Sequence, residues 1–249
     1  MLAGFERTFL EESVSIEVRA PFASTIDNVV TVGGPYSGSD VQMGVMSLNG
    51  KVALFRRDGF LVSAGAGLTL PTADDVHVRR ADSSDFVAIQ AESVHVQPFL
   101  GWAFAPNDRW FAQGFFQFDF DTNGNSVAID SGRGMSSAGR LNDAAFAFAD
   151  ASVGYWMYQS ESGGLVRRIA PTIELHWSKS LQVADSVQSG AVQVGNFHDN
   201  VDILTGLVGL NMILKGETQL SMGYGTPLTS GGDQPFDGSF RMMLQTSLR

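Results

Sequence analysis

Between residues 94 and 121 the chain states one pattern twice. Val94, Val96, Pro98, Leu100, Trp102 and Phe104 take every second position, with His95, Gln97, Phe99, Gly101 and Ala103 between them. After the polar turn Pro106-Asn107-Asp108, Trp110, Ala112, Gly114, Phe116 and Phe118 alternate with Phe111, Gln113, Phe115, Gln117 and Asp119. A period of two puts successive side chains on opposite faces of a β-strand. Further along, Ile169, Pro171, Ile173, Leu175 and Trp177 oppose Glu174, His176 and Ser178. Thr218, Leu220, Met222 and Tyr224 oppose Glu217, Gln219, Ser221, Gly223 and Gly225, and Phe240, Met242, Leu244 and Leu248 oppose Arg241, Met243, Gln245 and Arg249. In all five segments one set is free of charge. The other mixes charged and amide side chains with Gly, Ala and Ser.

Extended over the whole chain, the alternation predicts an all-β protein of about ten strands, while the period of 3.6 that marks helices is almost absent. The expected strands are 13–22, 43–56, 60–70, 92–105, 109–121, 144–159, 165–178, 201–214, 217–227 and 238–248. Many exceed the five or six residues usual in globular strands. Their links alternate in length. Arg57-Asp58-Gly59, Pro106-Asn107-Asp108, residues 160–164 and Lys215-Gly216 are tight turns rich in Asp, Asn and Gly. Residues 23–42, 71–91, 122–143 and 179–200 form long, polar connections, and 228–237 is intermediate. Placing every tight turn at one end suits an up-and-down antiparallel transmembrane β-barrel, with short periplasmic turns and long extracellular loops. An even number of strands leaves both termini at the short-turn end. The 249 residues carry no dividing linker, so a single barrel domain over 1–249 is expected.

In such a barrel the uncharged set faces lipid and the polar set faces the lumen, because a Lys or Arg on the lipid face near the midplane costs about 2–4 kcal/mol. The lumen-lining candidates are Glu17 and Arg19, then His95 and Gln97, then Gln113, Gln117 and Asp119. Asp150, Arg168, Glu174 and His176 follow, and Glu217, Gln219 and Arg241 complete the set. They form either a charge-paired plug or a lining that orients a passing solute. Trp102, Trp110, Tyr155, Tyr158, Trp177 and Tyr224 mostly fall near strand ends, as interfacial aromatic girdles do. The competing reading is a soluble β-barrel that binds a ligand inside. Its outer polar set would be richer in Lys and Glu and poorer in Gly and Ala than this one.

Three segments, FERTFLEESVSIEVRAPF (5–22), KVALFRRDGFLVSAGAGLTLPT (51–72) and QPFLGWAFAPNDRWFAQGFFQFD (97–119), resemble bacterial outer-membrane β-barrel proteins. The nearest group is the transporter family associated with phenol-degradation pathways. There, a strand ending in a Gly-rich LPT segment precedes an extracellular loop, and a PN-R-W turn joins two long strands. The likeness covers about a third of the chain in short blocks. It implies residence in the outer membrane of a Gram-negative bacterium, insertion by the outer-membrane assembly machinery, and uptake of small hydrophobic or aromatic solutes. Such barrels usually end on an aromatic residue, whereas this chain ends Ser247-Leu248-Arg249. MLAGFERTFLEE lacks the basic start and apolar core of a signal peptide. The expectation is therefore a chain cut within a longer one whose full barrel has about twelve strands. A barrel that binds partners through its long loops is the alternative function.

Other chemistry is thinly represented. A net charge of −10, with no basic cluster, argues against nucleic-acid binding. The absence of Cys leaves no disulfide and no thiolate site. Asp119, Asp121, Asn123, Asn125 and Asp130 follow the D-x-D-x-N-G-x5-D spacing of a calcium loop, but on strand flanks. The alternative is a polar strand exit built of turn formers. His77, His95, His176 and His198 form no metal-binding pair, and no G-x-S-x-G is present. No enzyme activity and no cofactor other than that calcium are expected.

Overall fold

The computed structural model describes residues 1–23, 29–32, 42–160, 164–195, 200–215, 218–229 and 236–246. Strands dominate, as the alternation predicts, and among the described residues no helix is long and apolar enough to cross a membrane. Among the described residues eleven strands form the wall. In chain order they are β1 (Leu2–Phe9), β2 (Val14–Ala23), β3 (Met46–Arg57), β4 (Phe60–Leu70), β5 (His95–Phe104), β6 (Trp110–Asp121), β7 (Ala145–Tyr155), β8 (Val166–Gln182), β9 (Asp202–Leu214), β10 (Gln219–Pro227) and β11 (Ser239–Gln245). Each pairs antiparallel with its chain neighbour from β1 to β11, with no crossover.

Ten of these are the expected strands. The eleventh, β1, falls where a trimmed lead-in was expected, and it pairs with β2 from Leu2–Pro21 to Phe9–Val14. An odd count moves the first residue to the long-connection end, where the Met1 amine donates to the Phe22 carbonyl at 2.7 Å. The expectation that both termini lie at the short-turn end is therefore corrected. Among the described residues β1 and β11 pair only inward, so the wall is a continuous sheet with two ends rather than a closed cylinder.

The tight turns form for the reasons their residues give. Asn107 Oδ1 accepts the amides of Arg109 and Trp110 at 2.9 Å each, an Asx turn that starts β6. Gly59 takes φ +72°, and a Cβ there would strike the Ala105 carbonyl of the adjacent turn. Pro98 has no N–H to donate. The β5–β6 ladder jumps from Phe99–Gln117 to Val96–Phe120, leaving Pro98 out.

The long connections are not structureless. Met135–Leu141, Asn125–Asp130, Asp85–Gln90, Val76–Arg79 and Val29–Thr31 assemble, in that spatial order, into a second five-stranded sheet. Its last pairing is parallel. Val87, Val127 and Ile129, with Val187 from the hairpin Ser186–Gly195, form its core. Among the described residues the largest fully enclosed side chains, Ile129 and Val127, thus sit in the loop sheet. The wall instead keeps many large apolar side chains uncovered.

Candidate functional site: the polar face of the wall

The pairing registers fix which side chains share a face. Ser63, Gly101, Phe115, Asp150, His176 and Thr205 lie abreast across β4 to β9. One residue away, Val62, Trp102, Gly114, Ala151, Leu175 and Gly206 lie abreast on the other face. The separation of an apolar set from a polar set therefore holds as a consistent two-faced sheet. Trp102, Phe116, Leu175 and Leu244 are uncovered, at 39%, 38%, 44% and 67% exposure. None is packed in a sealed interior.

The apolar face is not wholly uncharged, which corrects the simplest form of the expectation. Arg7 lies opposite Ile16 and Arg57 opposite Phe60, both close to short turns. At the long-connection end Lys179 pairs with Asp202 at 3.1 Å, and Trp177 Nε1 donates to the same carboxylate at 2.7 Å. These charges stand near strand ends rather than in mid-strand. The six aromatic candidates all fall on this face. The rings of Trp110 and Tyr155 meet at a tilt, 4.9 Å between centroids, beside Arg109, with Tyr158 paired to Ile169 of β8 nearby, all at the short-turn end. Trp177 and Tyr224 lie toward the opposite end.

On the polar face the ion pairs group by height. Arg19 grips Glu17 with two bonds of 2.7 and 2.8 Å, and Lys51 pairs with Glu6 at 2.7 Å. In the middle of the wall His176 stands between two carboxylates. Its Nδ1 is 2.9 Å from Asp150, and its Nε2 is 3.3 Å from Glu174, within ion-pair reach but without hydrogen-bond alignment. At the long-connection end Asp119 takes His95 Nδ1 at 2.7 Å and Gln97 Nε2 at 2.9 Å. Gln113 and Gln117 face the same way, as do Gln219, Arg168 and Arg241. Arg168 lies 5.8 Å from the Trp156 ring, which also meets Phe111 at 5.0 Å. Glu217 and His198 lie outside the described residues.

A cavity of about 430 Å³ opens on this face. Lys51, Ser63, Gln113, Asp150, Glu174 and His176 line it from five different strands, so the sheet curves around its polar side. Two polar atoms near its wall, Ser152 Oγ and His176 Nε2, are buried without a hydrogen-bond partner. Lys51, Glu6, Ser152 and Trp156 were missing from the sequence-based set. Extending the alternation through Ser47, Asn49 and Lys51 would have found Lys51. Glu6 was out of reach without β1.

The five calcium candidates take separate roles. Asp121 holds the amides of Asn123, Gly124 and Asp143 at 3.1, 2.9 and 2.8 Å. Asn123 and Asn125 accept amides of residues 92–94, which tie the loop sheet to the wall. Asp130 pairs with Arg80 at 2.7 Å and holds the amides of Gly132 and Gly134. These amides and Arg80 keep its carboxyl below the ordinary value. Asp119 serves His95 instead. A different donor set arises nearby: His95, Asp121 and Asp143 bring ligand-type atoms within 4.8 Å of one another. One nitrogen and two carboxylates could hold a divalent cation there.

A scan against protein-family models finds no match, and neither the curated proteins nor the solved structures include a significant relative.

Proposed function

We propose that the chain is an integral outer-membrane β-barrel whose polar interior is a path, or a charge-paired plug, for small solutes. One observation carries this reading. Over eleven strands the register sends the mid-strand charges to one face and leaves an uncovered apolar band on the other. Uncovered Val208, Phe240, Met242 and Leu244 are each 67–68% exposed, and such a band is costly in water but suited to hydrocarbon. In hydrocarbon no strand edge can stay unpaired. The end strands β1 and β11 run in the same sense, so closing one on the other makes a parallel seam. An antiparallel closure takes one further strand. The resemblance to transporters of phenol-degradation pathways would make the solutes small and hydrophobic or aromatic.

The test is refolding into detergent and lipid vesicles. The expected outcome is a heat-modifiable shift in gel mobility and stepwise conductance in planar bilayers. A chain that folds and stays soluble without detergent overturns the membrane reading. A second reading, recognition of a partner through the long connections, is favoured by their folding into a sheet with its own core. It is tested by deleting 125–141 and measuring surface binding against conductance.

A further inference from the structure

We infer that the mid-wall cavity is a cation station, a place where a small positively charged group is held beside Asp150 and Glu174. The inference rests on the membrane reading for its role in transport, but its binding chemistry stands on the cavity itself. Lys51, the lining's fixed cation, is already spoken for by Glu6 at 2.7 Å. Asp150 and Glu174 have only one imidazole between them. The charged groups of the lining are Lys51 of β3, which is paired with Glu6 of β1, then Asp150 of β7 and Glu174 and His176 of β8. The first two cancel. The rest sum to −2 when His176 is neutral and −1 when it is protonated. β4, β5 and β6 contribute no charge to the lining, only Ser63, Gln113, Gly101 and the ring of Phe115 among others. An excess of carboxylate in a narrow, partly enclosed space raises the local concentration of cations and excludes anions.

The vacant hydrogen-bonding capacity points the same way. Glu174 and Asp150 retain lone pairs toward the cavity, at 25% and 39% exposure. Ser152 Oγ is a buried atom with no partner beside them. An ammonium or guanidinium group could donate to both carboxylates and to that hydroxyl. The Phe115 ring offers an apolar and π surface for the organic part. A carboxylate solute would meet two like charges.

The test uses the full chain refolded in lipid. Reversal potentials under a potassium chloride gradient should show cations favoured by about fivefold or more. Asp150→Asn with Glu174→Gln should bring the ratio to about one, and Lys51→Gln should raise it. A conducting wild type that is unselective or prefers anions overturns the inference while leaving the membrane reading intact. Because the lumen could be plugged, a second measurement needs no conduction. Methylammonium is titrated against the ring resonances of histidine-labelled protein in detergent micelles. A saturable shift at His176, absent with acetate and lost in Asp150→Asn/Glu174→Gln, supports the station even when no current flows. No shift at His176 in folded protein overturns it. Loss of conductance with the shift retained would remove the channel and keep the site.

Discussion

Trp102 and Gly114 face each other across β5 and β6, and a Cβ on Gly114 would enter the indole. Gly65 likewise makes room for the Phe99 ring on the polar side. These small residues were legible as alternation partners but not as seats for particular rings, because seating depends on which strand lies alongside. The single residue that best tests the apolar face is Leu175, uncovered in mid-strand beside Glu174 and His176. Leu175→Arg should destabilise the protein in vesicles by about 2–4 kcal/mol, read from the denaturant midpoint. Leu175→Ala, which changes size but not charge, should cost less. Equal effects would mean that position 175 does not face hydrocarbon.

The turn from β1 to β2 carries three consecutive left-handed residues, Leu10, Glu11 and Glu12, at φ 50°, 53° and 64°. Each costs about 1–2 kcal/mol for a side chain bearing Cβ. Glu11→Gly should therefore stabilise the β1–β2 hairpin by about 1 kcal/mol, seen as slower amide exchange in 2–9. The loop sheet is the element that the sequence reading missed. Val87-Ala88-Ile89 and Val127-Ala128-Ile129 are short β runs that pair with each other, Val87 against Ile129. They were hidden by length: four to seven residues among turn formers read as connection, and their partners are sequence-distant. Ile129 is fully enclosed, so Ile129→Ala should cost the loop sheet about 2–5 kcal/mol while leaving the wall's exchange protection unchanged. Acid should act on the same element. The depressed Asp130 carboxyl contributes stability that is present above its ordinary value near 3.8. That contribution is lost as pH falls through the lower folded value. Asp85, held down first by Arg79, adds to it in the same direction. Amide protection factors in 76–90 and 125–141, corrected for the pH dependence of intrinsic exchange, should be flat above about pH 5 and fall below about pH 4, with the change reduced in Asp130→Asn.

At the scale of the whole molecule, ten wall strands and their two faces followed from periodicity alone, since a period of two admits one assignment of faces once a strand is placed. Strand pairing and the eleventh strand did not follow. In Met1–Phe9 the adjacent Glu6 and Arg7 put a charge on each face, which blurs the alternation, and no preceding turn frames the segment. Among the polar-face candidates, the structure brings Asp119 together with His95, and Asp150 and Glu174 together with His176. Contacts between non-adjacent strands, such as Lys51 with Glu6, depend on curvature and left no mark in the sequence.

The sheet over the long-connection end is stitched from residues 29–31, 76–79, 85–90, 125–130 and 135–141. An antibody raised against the folded protein would recognise a composite epitope there. Synthetic peptides copied from any one stretch should fail to compete for it. Replacing a single stretch with a tag should disturb the antigenicity of the others.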